Sequence, residues 1–318
     1  MTRMKVTRGF AAYTPPSYPV LTIGNFDGQH RGHRALLEAV VEAARTTGGT
    51  PIVLTFDPHP VRILAPHVEL RFLTSMEEKL ARFAEAGIAE VVVLEFTPAF
   101  AALTPEEFVR QVLCEAIGVR ELFVGEHFAF GKGRAGRIAE LQRLAVRFGF
   151  LVHPVPPVRI DGEIVSSTRI RQLIQAGEMA RAARLLGRPY ALGGVVVRGE
   201  QRGRSMGWPT ANLRLPPGRV VPPDGVYATN TIWKGRTFPS VAYIGTRPTF
   251  GPGERLLEVY VLDQALDLYG DGVSVQFVER LRGDQGFASA EELSARIGLD
   301  ISLARASLSK ASQATVDS

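Results

Sequence analysis

The run Gly24-Asn25-Phe26-Asp27-Gly28-Gln29-His30-Arg31-Gly32-His33 brings together glycines, a carboxylate and two histidines three residues apart. Glycines let a backbone come close to an anion, and the unpaired N–H groups of a helix start favour negative charge. Imidazoles on one face add further donors, so the combination suits a phosphate. Each part alone is weak evidence: glycine-rich strand-to-helix turns are common, and a pair of histidines could be surface residues or metal ligands. The joint pattern G-x-F-D-G-x-H-x-G-H is far more specific.

The elements that must position this run follow from hydrophobic periodicity. Val20 to Ile23 reads as a buried strand and 33–46 as a helix ending at Gly48 and Gly49. The alternation continues with strands at 51–56, 90–96, 121–125 and 150–155. Between them the spacing predicts helices over 75–86, capped by Thr74 or Ser75, over 105–117, capped by Thr104, and over 138–148. Apolar strands separated by helices predict a parallel sheet with right-handed crossovers, which binds ligands at the carboxyl ends of its strands. TFDPHP (55–60), GEHFAFG (125–131) and SSTRIR (166–171) arrive at that same edge. SSTRIR offers a Ser/Thr-capped helix start carrying arginine, a second anion cradle, although alone it reads more readily as an ordinary cap with arginines facing solvent.

Past the helix at 179–186 the alternation stops. Short strands rich in Gly and Pro predict an antiparallel barrel or sandwich, closed by a helix over 288–306. The domains are therefore expected at 1–186 and 187–306, with 307–318 a flexible tail. Between the first strands of the second half, Gly199, Gly203 and Gly207 recur every four residues in a loop suited to covering phosphates, which is not a P-loop. Pro209, Thr210, Ala211 and Asn212 follow. A hydroxyl and an amide oxygen two residues apart are neutral ligands able to hold Mg2+ while phosphates complete the shell, yet PTAN by itself also reads as a turn between strands.

Composition bounds the rest. The 318 residues carry 37 Lys+Arg against 32 Asp+Glu, a net charge of +5, with no block of basic residues interleaved with aromatics. Small anionic substrates explain that balance as well as nucleic acid does. Cys114 is the only cysteine, within the helix expected over 105–117, which leaves no internal disulfide or cysteine zinc site and points to a cytoplasmic address. No apolar run approaches the ~20 residues a membrane helix needs.

Taken in order, GNFDGQHRGH, TFDPHP, SSTRIR, LLGRPY, GWPTANL, PPDGVYA, IGTRPTF, LEVYVLD with DLYG, and ERLR make residues 20 to about 306 resemble the prokaryotic bifunctional riboflavin kinase/FMN adenylyltransferases. The resemblance implies a Rossmann-like nucleotidylyltransferase domain followed by a mostly β kinase domain, a six-stranded Greek-key barrel with a C-terminal helix. It implies ATP as co-substrate, Mg2+ as cofactor, riboflavin, FMN and FAD as substrates or products, no nucleic-acid or membrane partner, and a monomer or weak homo-oligomer.

Site residues follow from the same resemblance. His30 and His33 would hold the ATP phosphates, with Gly24, Asn25, Phe26, Asp27 and Gly28 lining the pocket, and Ser166, Thr168 and Arg171 would clamp the triphosphate. A catalytic zinc is disfavoured because no third ligand is assignable. His59 and His127 are the flavin-binding candidates. Thr210 and Asn212 would bind Mg2+ and ATP beside Pro209, under the loop of Gly199, Gly203 and Gly207, and Glu258 would be the general base. Without the resemblance Glu258 is an outward-facing strand residue. The chain departs from the family's usual residues at His127, Ala129, Tyr260, Asp284 and Gly286; none of these is a proposed catalytic group.

Overall fold

The computed structural model describes residues 3–197, 208–246, 255–264 and 266–316. The chain divides into two compact units, Met1–Ser166 and Ser167–Ser318. The sequence boundary at 186/187 lies one helical hairpin further on.

In the first unit the strands are β1 (Lys5–Arg8), β2 (Pro19–Ile23), β3 (Thr50–Phe56), β4 (Glu90–Leu94), β5 (Glu121–Gly125) and β6 (Leu151–Val155). The helices are α1 (Arg31–Thr47), α2 (Pro60–Leu64), α3 (Met76–Glu85), α4 (Pro98–Ala101), α5 (Pro105–Glu107, continued by a π-helical stretch Phe108–Ile117) and α6 (Ile138–Phe148). A short hairpin, β7 (Arg159–Ile160) with β8 (Glu163–Ile164), follows. The six long strands pair in parallel in the order β1-β4-β3-β2-β5-β6. β1 is absent from the sequence expectation: Lys-Val-Thr-Arg buries only Thr7 and sits at the sheet edge, so it carries no apolar signal.

Alternation sends each strand's side chains to opposite layers. Leu21, Leu54 and Leu122 pack with Val109, Leu113 and Leu141 on one side, while Val20, Val53 and Val91 pack with Leu36, Val40 and Phe83 on the other. Both faces are therefore covered, as a parallel sheet requires. The order reverses between β2 and β5, so the loops leaving their carboxyl ends flank the topological switch point. Those loops are GNFDGQH and GEHFAFG.

The second unit begins with α7 (Ser167–Gln175) and α8 (Met179–Leu186). Then β9 (Tyr190–Val197), β10 (Ala211–Arg214), β11 (Gly225–Trp233), β12 (Arg236–Thr246), β13 (Arg255–Val261) and β14 (Gly272–Gly283) close an antiparallel barrel, and α9 (Ala290–Val316) ends it. Tyr227, Thr229, Thr231, Ser240, Ala242 and Ile244 are wholly buried inside the barrel. Ile301, Ala304 and Leu308 of α9 cover its outer face at Ala228, Val241 and Tyr260.

Two expectations are corrected. The segment from 307 is not a flexible tail through its length: α9 runs to Val316, and Ser307 and Leu308 are buried because the helix continues along the barrel. PTAN is not merely a turn, since β10 begins at Ala211.

Asp300 ties α9 to the barrel. It is 2% exposed and accepts from Arg282 Nε and Nη2, the latter at 2.9 Å. Breaking a buried pair from one side strands the other charge, so Asp300→Ala is expected to cost about 3–5 kcal/mol. A thermal melt should fall by several degrees; an unchanged melt would mean Arg282 finds water.

Candidate active sites

The first site is built at the switch point. β2 ends at Ile23, and the loop to α1 carries Phe26 at φ 49°, Gln29 at φ 38° and Gly28 at φ 81°. Two non-glycine residues in the left-handed region persist only when their surroundings hold them. The segment before α3 does so. The Asp27 carboxylate accepts from the N–H groups of Leu73 and Thr74 and from the Thr74 hydroxyl. Gly28 N–H donates back to Thr74 Oγ1 at 2.9 Å, and Gln29 Nε2 donates to the Lys79 carbonyl at 2.9 Å. Ser75 fixes that segment in turn, through a reciprocal capping box with Glu78. Asp27, a candidate ATP ligand by sequence, thus spends its carboxylate on shaping the loop.

His30 caps α1: its Nδ1 accepts from His33 N–H at 3.2 Å. That nitrogen therefore carries no proton, and in the neutral ring the proton sits on Nε2, leaving an N–H to donate. The rings of His30 and His33 stack with centroids 3.7 Å apart, while Phe26 meets His33 edge-on. Gly32 leaves room here: a Cβ would stand 3.2 Å from the His30 ring, closer than ordinary contact. Burial first, then His30 and Lys79, push the His33 pKa well below its usual value. Two stacked imidazoles at a helix N-terminus make a donor surface for an arriving phosphate.

The other first-unit candidates lie around the same edge. His59 caps α2, its Nδ1 accepting from Val61 N–H, and its ring packs on Phe72. His127 is exposed in the turn after β5. Ser166 closes the first unit, whereas Thr168 and Arg171 belong to α7 of the second.

The second site lies on the outer face of the barrel. β10 pairs with β13 so that Asn212 stands opposite Glu258, and β12 places Tyr243 opposite Glu258 on its other side. Asn212 is 7% and Glu258 8% exposed. Glu258 faces outward from the barrel, as its alternation with apolar neighbours predicts, but it is buried there. Thr210 immediately precedes β10. Trp208 anchors that approach, packing edge-on against Tyr260 at 5.5 Å and donating from Nε1 to Ser294 of α9. Tyr260, one of the family departures, thus serves as the wall on which Trp208 rests. Gly199, Gly203 and Gly207 lie outside the described residues.

Comparisons with known proteins complete the picture. A FAD synthetase family model matches residues 14–169 and a riboflavin kinase model residues 186–308. A bifunctional riboflavin kinase/FMN adenylyltransferase from Escherichia coli strain K12 is 41% identical over 95% of this chain and 97% of its own. The chain belongs to that family. A relative of the same name from Bacillus subtilis strain 168 is 32% identical over 88% of this chain and 90% of its own. A crystal structure titled a macrolide-efflux protein, from Streptococcus pneumoniae, superposes with a TM-score of 0.88 at 31% identity, covering 95% of this chain and 99% of that one. Among the described residues here, no helix is long and apolar enough to cross a membrane.

In this bifunctional flavin enzyme the FAD synthetase match falls on the parallel-sheet unit and the riboflavin kinase match on the barrel. Among the described residues no three His, Cys, Asp or Glu side chains gather to hold a metal. At the barrel site Thr210 and Asn212 carry a hydroxyl and an amide oxygen, neutral donors of the kind that hold magnesium when substrate phosphates supply the negative charge. Sequence reasoning passed over Lys79, which is 7% exposed and donates from Nζ to the Asn25 carbonyl at 3.3 Å. The signal was present: Lys79 stands four residues before core Phe83 on the apolar stripe of α3.

Proposed function

We propose that the barrel unit phosphorylates riboflavin to FMN with ATP, and that the parallel-sheet unit transfers AMP from a second ATP to FMN, yielding FAD and pyrophosphate. The functional division is placed at 186/187 and the protein in the cytoplasm as a monomer or weak homo-oligomer. The observation that carries the reading is that each family match falls on a unit with its own built polar site.

In the kinase reaction Glu258 accepts the proton of the riboflavin 5′-hydroxyl as that oxygen attacks the γ-phosphorus of ATP; the bond to the β,γ-bridging oxygen breaks and ADP leaves. Thr210 and Asn212 would supply neutral oxygens to a magnesium ion, which would offset charge on the phosphates. Burial of Glu258 beside Asn212 and Tyr243 limits water's competition for the transferred group.

In the adenylyl transfer an FMN phosphate oxygen attacks the α-phosphorus and pyrophosphate leaves. No protein nucleophile takes part, so positioning and charge stabilisation carry the rate. His30 and His33 donate to phosphate oxygens, and backbone from Gly24 to Gly28 borders the nucleotide. Ser166, Thr168 and Arg171 are proposed as further phosphate ligands, and His59 and His127 as flavin contacts.

Supplying riboflavin and FMN in separate reactions with ATP and Mg2+ tests the assignment. FMN and then FAD should form from riboflavin, and FAD from FMN alone. Riboflavin recovered unchanged would overturn the kinase half, and FMN recovered unchanged the transferase half.

A further inference from the structure

The loop that presents His30 and His33 rests on a buried cation. Lys79 lies on the inward stripe of α3 and touches the loop twice: Nζ donates to the Asn25 carbonyl at 3.3 Å, and its own carbonyl accepts from Gln29 Nε2 at 2.9 Å. Asn25 and Gln29 bracket the strained stretch from Phe26 to Gln29. A lysine is rarely buried to 7% exposure without a carboxylate bonded directly to it, yet the hydrogen bond from Nζ here runs to a neutral carbonyl. Burial pulls the Lys79 pKa down, and the carboxylates of Asp27 and Asp57 oppose that pull. The same ammonium acts on His33 alongside His30, the other titratable group facing that ring.

We propose that Lys79 is a positioning residue for adenylyl transfer, whose buried ammonium fixes the phosphate loop through Asn25 and sets a fixed positive charge within electrostatic reach of His33. The physical logic is one of readiness. A protonated His33 would hold water or a stray anion where the phosphate must bind; a neutral one waits as a donor. Lys79 then contributes fixed positive charge beneath the site when phosphates arrive, without itself reaching them. The inference rests on the assignment of the histidine pair to adenylyl transfer.

Three variants separate the two effects. Lys79→Met removes both donor and charge, Lys79→Gln keeps a donor for Asn25 without the charge, and Lys79→Arg keeps the charge. FAD formation from supplied FMN should fall about tenfold or more in Lys79→Met and recover substantially in Lys79→Arg. Riboflavin phosphorylation by the same preparations reports whether the chain is folded. An NMR titration of the imidazoles should show His33 taking up its proton at higher pH in both Lys79→Met and Lys79→Gln than in wild type or Lys79→Arg. Should Lys79→Met not fold, Lys79→Gln carries the same prediction for His33. An unmoved His33 titration in a folded, uncharged variant, or FAD formation within about twofold of wild type, would overturn the proposal. Wild-type protein that makes no FAD would instead overturn the parent assignment.

Discussion

Glu258→Gln is expected to abolish conversion of riboflavin to FMN while leaving conversion of supplied FMN to FAD intact. A positioned general base contributes about 10²–10⁴-fold, and the amide keeps the shape and hydrogen-bonding reach of the side chain without its basicity. The setting makes this substitution unusually clean. Glu258 is enclosed between strands of a closed barrel, opposite Asn212 on one side and Tyr243 on the other, so no neighbouring element has to move to accommodate glutamine. The measurement is product analysis by chromatography with riboflavin as the only flavin, followed by a second reaction started with FMN. Retained FMN formation would assign the proton transfer to another group. Loss of both activities in a folded protein would mean that the two sites are not independent.

His33→Ala should produce the opposite pattern, with FMN accumulating from riboflavin and no FAD appearing. Removing one preorganised donor from a charge-stabilising site typically costs about 10²–10³-fold in rate. Here the loss has a second component, because His33 also supports His30 by stacking on it at 3.7 Å and shares the edge of Phe26. His33→Asn, which restores a donor without the ring, should recover part of the rate but not the orientation of His30. The backbone N–H of residue 33 still caps onto His30 Nδ1 in either variant, so α1 should keep its start. Unimpaired FAD formation in His33→Ala would remove the histidine pair from the mechanism.

Much of this arrangement is legible in the residues. The strand, glycine turn and helix around GNFDGQHRGH follow from periodicity and capping, and the order of apolar strands predicts the parallel sheet. What escapes is whatever depends on a distant partner. β1 is too short and too polar to announce itself, and exists because β4 offers it an edge. Asp27 looks like a nucleotide ligand until Leu73 and Thr74 arrive from across the sheet edge. Glu258 reads as an outward-facing strand residue and is one; what alternation does not show is its burial to 8% exposure, opposite Asn212 and Tyr243. The far end of α9 looks too small and polar to order itself, and its helix is held by contacts nearer its middle, among them Asp300 with Arg282. Lys79 is the instructive omission. Its type argued for solvent and its spacing from Phe83 argued for the core, and spacing was the better guide.

The pairing of Asn212 with Glu258 has an evolutionary corollary. A closed barrel has no free edge along which a strand could drift, so the separation of these two groups is counted in whole residues rather than adjusted continuously. Insertions and deletions in the connections between strands leave that count untouched. A single inserted residue within β10 or β13 would shift one partner by about 3.3 Å along its strand and turn it toward the barrel interior. Lineages are therefore free to lengthen or shorten the connecting loops, while the strands that carry the carboxylate and the amide must keep their length.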